Sequence, residues 1–431
     1  MLTLVNSLIT SSSAHEQMYS LSFDGVDDYL DIGDQLDFGT TAFSISLWFN
    51  CDDLDGTASQ YIFSKRQDNN NRVSILINSS DKIQIIGKIS GSNSFALAGA
   101  TALTEDDHQG KWVHMVATTD RAGNEAVYIN GVTTTYGQTA ASTNDSANFD
   151  NTGNMVIGSS HTGSSSAFTG KIDEVAVFNV FLDADAVLAI YNEGKPFNLN
   201  NNRGNYNNSL ALQGYWRMGN GLFDDKENGV VFDQTAPTIG SNLIPDLLSG
   251  DLNTDFFADS TSNGPTSNAL NTADFGYPVW KMVSDGSTIA AGVMTSDLTV
   301  ELNTVYKVSW EGYAVSAAGG EAGSRWQEIQ KNILVAGPGD ASNDWNRLGT
   351  TNAYGGFHSG DRVWKKITIY IRTASSNNQA RISFVNGTAT GDNGDIRYFK
   401  NFKIVKVGGN PGITTGLGDN EATFSTDTPD D

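Results

Sequence analysis

The chain has 431 residues, 39% apolar and 17% charged, and its 26 lysines and arginines against 49 aspartates and glutamates set a formal net charge of −23. That length suits two or three domains with cores of their own, and an acidic chain without a Lys/Arg cluster excludes nucleic acid as a partner, because phosphate binding needs a basic stripe. The 45 glycines, 8 prolines and 10% aromatic content describe a turn-rich β protein and exclude bulk disorder.

In chain order, residues 1–18 form an N-terminal arm. Its start, MLTLVNSLIT, carries no Lys or Arg and is interrupted by Asn6 and Ser7, so it does not read as a secretory signal. A first β domain follows over 19–200. Phe43, Ile45, Leu47 and Phe49 alternate with Ser44, Ser46, Trp48 and Asn50, the period of a half-buried strand. Cys51 is the single cysteine, which rules out an internal disulfide and points to a reducing compartment of synthesis. Further strands are predicted over 72–78, 82–89, 111–118, 126–129, 154–158 and 170–179, with Asn130-Gly131 supplying a tight hairpin turn. A short helix over 183–193 closes the domain: Asp183 caps it, Val187, Leu188 and Tyr191 give one apolar face, and Gly194 and Pro196 end it.

A junction spans 201–240, and its apolar segment LALQGYWRM (210–218) reads as a strand that either domain can receive. A second β domain, 241–408, repeats the pattern over 280–283, 297–302, 305–313, 325–335, 362–372, 379–384 and 396–407. The acidic tail, 409–431, has little apolar content and alone would be disordered, although in an assembly it can lie on a neighbour. The expected fold class is all-β: two antiparallel β-sandwich (jelly-roll) domains with one short helix. No run approaches the roughly 18–20 apolar residues of a membrane helix, so membrane insertion is not expected.

Four segments resemble laminin-G-like, concanavalin A-like lectin/glucanase domains in the family's order: YSLSFDGVDDYLDIG (19–33), SISLWFN (44–50), GKWVHMVATTDRAGNEAVYINGV (110–132) and GKIDEVAVFNVFLDADAVLAIYNEG (170–194). The segments TVYKVSWEGYA (304–314), RVWKKITIYI (362–371) and IRYFKNFKIVKV (396–407) resemble carbohydrate-binding-module jelly rolls. Those modules commonly hold a structural calcium through an aspartate of the last strand, where this chain has Lys400. The pairing of the two domains around YWRMGNG resembles structural proteins of marine bacteriophages. That resemblance implies a virion-surface protein made in host cytoplasm and released by lysis, with other virion proteins, copies of itself and host-surface glycans as partners.

Catalysis is not expected. Glucanases of this fold set carboxylates at alternate positions of one strand, whereas Asp173 and Glu174 are adjacent and on a regular strand point to opposite faces, a structural Asp beside a solvated Glu. The five histidines show no triad or metalloprotease spacing, and His114, inside WVHMVAT, reads as a hydrogen-bonded structural residue. Calcium is the one expected cofactor, with Asp24, Asp27, Asp28 and Asp173 as hard-oxygen ligands on motif segments that can converge. Asp251-x-Asn253-x-Asp255 alternates like a calcium loop but lacks the glycine at its sixth position and has Ser262 at its twelfth, and 391–395 reads as a hairpin loop.

Sugar binding needs aromatic platforms beside hydrogen-bonding side chains. Trp48, Trp112, Trp310 and Trp364 lie in motif strands and are assigned to packing, which leaves Trp326, Trp345, Tyr354 and Phe357, in the Gly/Asn/Asp-rich stretch 323–360, as glycan-binding or protein-interface residues. The functional expectation is a non-enzymatic phage virion component, a capsid decoration or fibre with lectin-like domains. The alternative is a secreted bacterial carbohydrate-binding or adhesion protein.

Overall fold

The computed structural model describes residues 17–99, 102–134, 136–140, 147–162, 166–226, 229–235, 237–243, 256–258, 267–277, 279–283, 292–295, 298–302, 304–315, 335–336, 346–348, 364–373, 379–385, 396–415 and 422–429. The chain divides into two compact units, the first made of residues 1–226, 231–235 and 420–431, the second of 227–230 and 236–419. Both are built from antiparallel sheets, as the alternating patterns predict.

In the first unit, one sheet runs in the order Val132–Thr133, Glu125–Ile129, Trp112–Thr119, Phe43–Cys51, Thr169–Phe178, Ser20–Asp24 and Thr423–Ser425. The other contains, in order, Tyr136–Ala140, Ser92–Gly99, Ile83–Ile89, Asn71–Ile77, Gln60–Asp68, Met155–Ile157 and Tyr29–Gly33. Ile45, Leu47, Phe49, Met115 and Ile172 of the first sheet share one core with Phe63, Val73, Ile75 and Ile85 of the second. The Gln60–Asp68 strand has no clean alternation in sequence because its pairing with Asn71–Ile77 is bulged between Tyr61 and Phe63, which puts successive residues out of phase.

The Phe43–Cys51 strand is not half-buried: all nine of its residues are buried. Its second face lies under a smaller apolar cluster in which Val187, Ile190, Phe197, Leu199, Tyr206 and Tyr215 pack with Val116, Ala176 and Phe178. Serines tolerate that face because hydroxyls pair across the ladder, Ser44 with Thr118 at 2.6 Å and Ser46 with the His114 ring at 3.0 Å. The covering helix is Ala184–Tyr191, with the Asp183 carboxylate accepting from Ala186 N at 2.8 Å as its cap and Asn192 ending it in the left-handed conformation. Its inward residues are Ala186, Val187 and Ile190, whereas Leu188, expected on the apolar face, is 56% exposed.

The 210–218 segment goes to the first unit. Its strand, Leu212–Trp216, pairs with the second half of Thr169–Phe178, while Ser20–Asp24 pairs with the first half. The change of partner coincides with an irregularity between Asp173 and Ala176, where Glu174 has φ +50°. The end of the tail does not need a neighbouring molecule. Thr423–Ser425 adds to the edge strand Ser20–Asp24, and Asp427 accepts from the Trp112 indole at 2.8 Å and pairs with Lys171 at 3.1 Å. An edge strand offers unpaired backbone groups, and here the chain's own terminus takes them.

In the second unit, one sheet runs Ser267–Asn271, Val279–Val283, Ile396–Gly408, Val305–Val315, Lys365–Arg372 and Asn346–Leu348, with Thr238–Asn242 also on Ile396–Gly408. A second set orders Phe256–Ala258, Gly292–Thr295, Gln379–Val385 and Leu298–Thr299, with Val335–Ala336 on Gln379–Val385. Of the strand expected over 325–335 only its last residue is described, and the segment 391–395 lies outside the described residues. No helix among the described residues is long and apolar enough to cross a membrane.

Candidate functional site

The second unit carries an aromatic group on the outer face of its larger sheet. Along Val305–Val315 the side chains of Tyr306, Val308 and Trp310 are buried, and the alternates Lys307, Ser309, Glu311 and Tyr313 are only half-buried. Register then builds a row across three strands, since Tyr313 faces Tyr398 and Tyr398 faces Lys281. One step along, Glu311 faces Lys400. The turn before Val279–Val283 closes with Gly276 N donating to Thr272 O at 3.1 Å, and Gly276 sits at φ +74°, where a side chain would be strained.

That turn delivers Phe275 and Tyr277 to the row. The Phe275 ring centroid lies 4.8 Å from Tyr398, 5.2 Å from Tyr313, 5.3 Å from Trp364 and 5.8 Å from Tyr277. Phe275 is therefore the packing hub, and Tyr277, 40% exposed, is the ring turned most toward solvent. The Lys400 ammonium stands 4.2 Å from the Trp364 centroid and 4.9 Å from that of Tyr277, a cation–π arrangement, and 3.4 Å from Glu311 Oε2. Asn401 Nδ2 donates to Glu311 Oε1 at 2.6 Å. On the other flank Asp274 accepts from Lys281 at 2.8 Å and from the Tyr398 hydroxyl at 2.6 Å. Those two hydrogen bonds hold the Asp274 carboxyl below its usual range, and the bond to Asp274 raises Lys281. Rings flanked by a carboxylate, an amide and ammonium groups can stack on the C–H face of a sugar while hydrogen-bonding its rim.

Sequence reasoning passed over this group. Trp364, assigned to a structural strand, precedes Lys365–Arg372 and joins the outward aromatic group, whereas Trp310 is core as expected. The signal was present in the odd positions of 305–313 and in Tyr398 and Lys400, but the Phe275 and Tyr277 contribution depends on how a turn folds back. Trp326, Trp345, Tyr354 and Phe357 lie outside the described residues, as do Asp251, Asn253 and Asp255.

In the first unit, the ligand atoms of Asp24, Asp27 and Asp28 lie within 4.8 Å of one another. They sit on the turn that leaves Ser20–Asp24, held by Asp24 N donating to Asp28 Oδ2 at 2.9 Å and Val26 N to Asp24 Oδ1 at 2.8 Å. Gly25 is required there, since at φ +80° a Cβ would meet Thr169 Oγ1 at 1.9 Å. Hard oxygens of this kind suit calcium, although two of them already serve backbone N–H groups. Asp173 does not join the three. Asp24 faces Thr169, and Asp173 lies farther along the same strand, facing Trp48, fully buried, with Oδ1 accepting from Glu174 N at 2.7 Å.

Glu174, expected to be solvated, is 3% exposed. The irregular backbone turns it inward, where Arg217 Nε donates to it at 3.0 Å, Gln17 Nε2 at 2.5 Å, and the Tyr215 hydroxyl also donates. Burial, and next the Glu174 charge, push Tyr215 well above the usual phenol range. Burial opposes the charge on Arg217, but Glu174 outweighs it and raises the guanidinium. The pair Asp173 and Glu174 is thus a packed support beneath YWRMGN. His114 likewise is structural, its ring 4.9 Å from Trp48 and 5.9 Å from Tyr191, and burial lowers its pKa to about 3.

Residues 24–188 match the family model of the concanavalin A-like lectin/glucanases superfamily, the laminin-G-like type. The expected resemblance of the first domain is thereby shown for that segment. Among solved structures, a heptameric pentraxin from Limulus polyphemus is 17% identical over 41% of this chain and 82% of its own, with a TM-score of 0.32. A protein described as a candidate carbohydrate-binding protein from Bacteroides ovatus is 18% identical over 51% of this chain, which spans 56% of that one, with a TM-score of 0.37. The fourth domain of an extracellular arabinanase from Geobacillus stearothermophilus, solved with arabinotriose, is 20% identical over 39% and 74%, with a TM-score of 0.29. No curated protein matches the chain.

Proposed function

We propose that this protein is a non-enzymatic glycan-binding protein that contacts neutral sugar rings through Tyr277, Tyr313 and Trp364, with Glu311, Asn401, Asp274 and Lys400 at the rim. The observation that carries the reading is the half-open aromatic face, in which rings and polar groups meet on an outward sheet surface instead of in the core. The lectin-type family match over residues 24–188 agrees with it. Binding without catalysis is supported by Asp173 and Glu174, whose buried carboxylates accept from Glu174 N, Arg217, Tyr215 and Gln17 and present no pair to a glycosidic bond.

The reading accommodates both settings considered from the sequence, a phage-particle surface component and a secreted bacterial carbohydrate-binding or adhesion protein. In either, repeated weak contacts would gain from avidity. Calcium belongs to the proposal as a loop-stabilising ion on Asp24, Asp27 and Asp28. The test is a glycan array followed by titration calorimetry on the full chain and on Tyr277→Ala and Trp364→Ala. Loss of roughly tenfold or more in affinity, as expected for a removed stacking ring, supports the reading. Unchanged affinity in both variants overturns the assignment to this face.

A further inference from the structure

The second sheet of the first unit brings three cations into one row. Arg66 faces Arg72 on the neighbouring strand, and Arg72 faces Lys88 on the next. Because Val73 and Ile75 belong to the core, Arg72 and Ser74 occupy the opposite face of their strand. The row stands out in a chain of net charge −23. Yet none of the three makes an ion pair among the described residues, where Lys65, Lys171, Arg217, Lys281, Lys400 and Lys406 do.

Arg72 is the centre of the row and only 9% exposed, and its Nε is buried with no hydrogen-bond partner among the described residues. That Nε–H has lost water without gaining an acceptor, and the guanidinium has no counter-charge among the described residues, which is costly. Arg66 donates to Asn69 Oδ1 and to no carboxylate among the described residues. Burial and then the charge of Arg72 lower the Arg66 pKa, against weaker opposing attraction from Tyr61 and Asp68. The field reaches His161, which burial and next Arg66 lower from its ordinary value, and whose Nδ1 lies 2.9 Å from Ser160 Oγ. The adjacent row on the same face is neutral: Ser64 and Ser74 satisfy one another at 2.9 Å.

One kind of ligand relieves repulsion and desolvation together. An oxyanion accepts from the planar N–H edge of arginine through two oxygens and takes the lysine ammonium as a point charge. We propose that Arg66, Arg72 and Lys88 form an oxyanion-binding site for a sulfate ester or carboxylate carried on a saccharide. The saccharide part rests on the glycan-binding reading, whereas capture of the oxyanion stands without it.

The experiment is calorimetry of the full chain at low and high salt with sodium sulfate, a sulfated galactan oligosaccharide, an oligogalacturonate and the desulfated galactan. The charged oligosaccharides should bind more tightly than the desulfated one, weaken with salt, and lose roughly tenfold or more in Lys88→Gln and in Arg66→Gln. Which charged sugar binds better assigns the group as sulfate ester or carboxylate. Arg72→Gln should lose most, and the two less buried variants, checked by circular dichroism, keep the test valid if Arg72→Gln does not fold. Equal affinity for charged and desulfated sugars, or no change in Lys88→Gln and Arg66→Gln, overturns the proposal. Binding of inorganic sulfate alone overturns its saccharide part. Charged-sugar binding that survives Trp364→Ala while desulfated binding matches buffer refutes the aromatic-face reading and leaves this site standing.

Discussion

The strands Phe43–Cys51 and Val305–Val315 differ in what lies over their second faces. Both alternate in sequence, but the first is buried on both sides and the second keeps Lys307, Ser309, Glu311 and Tyr313 half-buried. Over the first, the Ala184–Tyr191 helix and the 197–215 segment convert a polar-looking face into a second core, so Ser46, Trp48 and His114 become packing residues. Over the second, rings gather around Phe275 and bury Tyr398, while Phe275, Tyr313 and Trp364 stay half-buried and Tyr277 exposed. Alternation therefore marks which residues share a face, and the cover decides whether that face is structure or surface.

The sharpest break of this comparison is at the covered side. Arg217→Met leaves the Glu174 carboxylate buried beside Tyr215 without its cation, and stability should fall by about 3–5 kcal/mol in urea unfolding of the full chain; a loss below about 1 kcal/mol would mean that the network is not a buried support. Next, Trp310→Ala and Tyr313→Ala compare two faces of one strand. The first should cost about 3–5 kcal/mol, as a truncated core tryptophan does, and the second less than half of that. Equal losses would show that the outer face is core after all.

A third effect is pH-dependent. His114 has its folded pKa lowered to about 3 from an ordinary 6.5, so the unfolded state takes the proton first. Its contribution is complete above pH 6.5 and is lost as pH falls toward about 3, with a slope of up to about 1.4 kcal/mol per unit. Asp224 acts in the opposite sense: burial raises its folded pKa to about 6, so its contribution grows as pH falls from there toward 3.8. His114→Leu should flatten only the histidine component, measured as the difference in unfolding free energy between variant and parent at pH 7 and pH 4.5. The smallest expected effect is that of calcium. Millimolar calcium should raise the melting temperature by a few degrees if it is bound at tens of micromolar affinity, and Asp27→Asn should abolish that rise. An equal rise in the variant would move the ion elsewhere.

Much of the first unit was legible because its devices are local. The Asp183 cap, the Asn130-Gly131 turn and the alternation of 43–49 each follow from neighbouring residues. Glu174 was misread because adjacency implies opposite faces only on a regular strand, and the irregular pairing beside it suspends that rule. Asp173 was grouped with Asp24, Asp27 and Asp28 on motif order, while strand register carries it away from them. The aromatic group was hidden for a related reason: Phe275, Tyr313, Trp364 and Tyr398 are far apart in the chain, and three paired strands and one turn bring them together.

By itself, then, the sequence determined the all-β class and the identity of most core strands, because hydrophobic period and turn chemistry act over a few residues, and its motifs carried the likeness of 24–188 to the concanavalin A-like lectin/glucanases superfamily. Tertiary structure alone decided which faces stay open, which unit receives Leu212–Trp216, and that the terminal strand Thr423–Ser425 returns to the edge of Ser20–Asp24. Those outcomes depend on backbone pairing between distant segments, and main-chain hydrogen bonds leave no mark in the order of side chains.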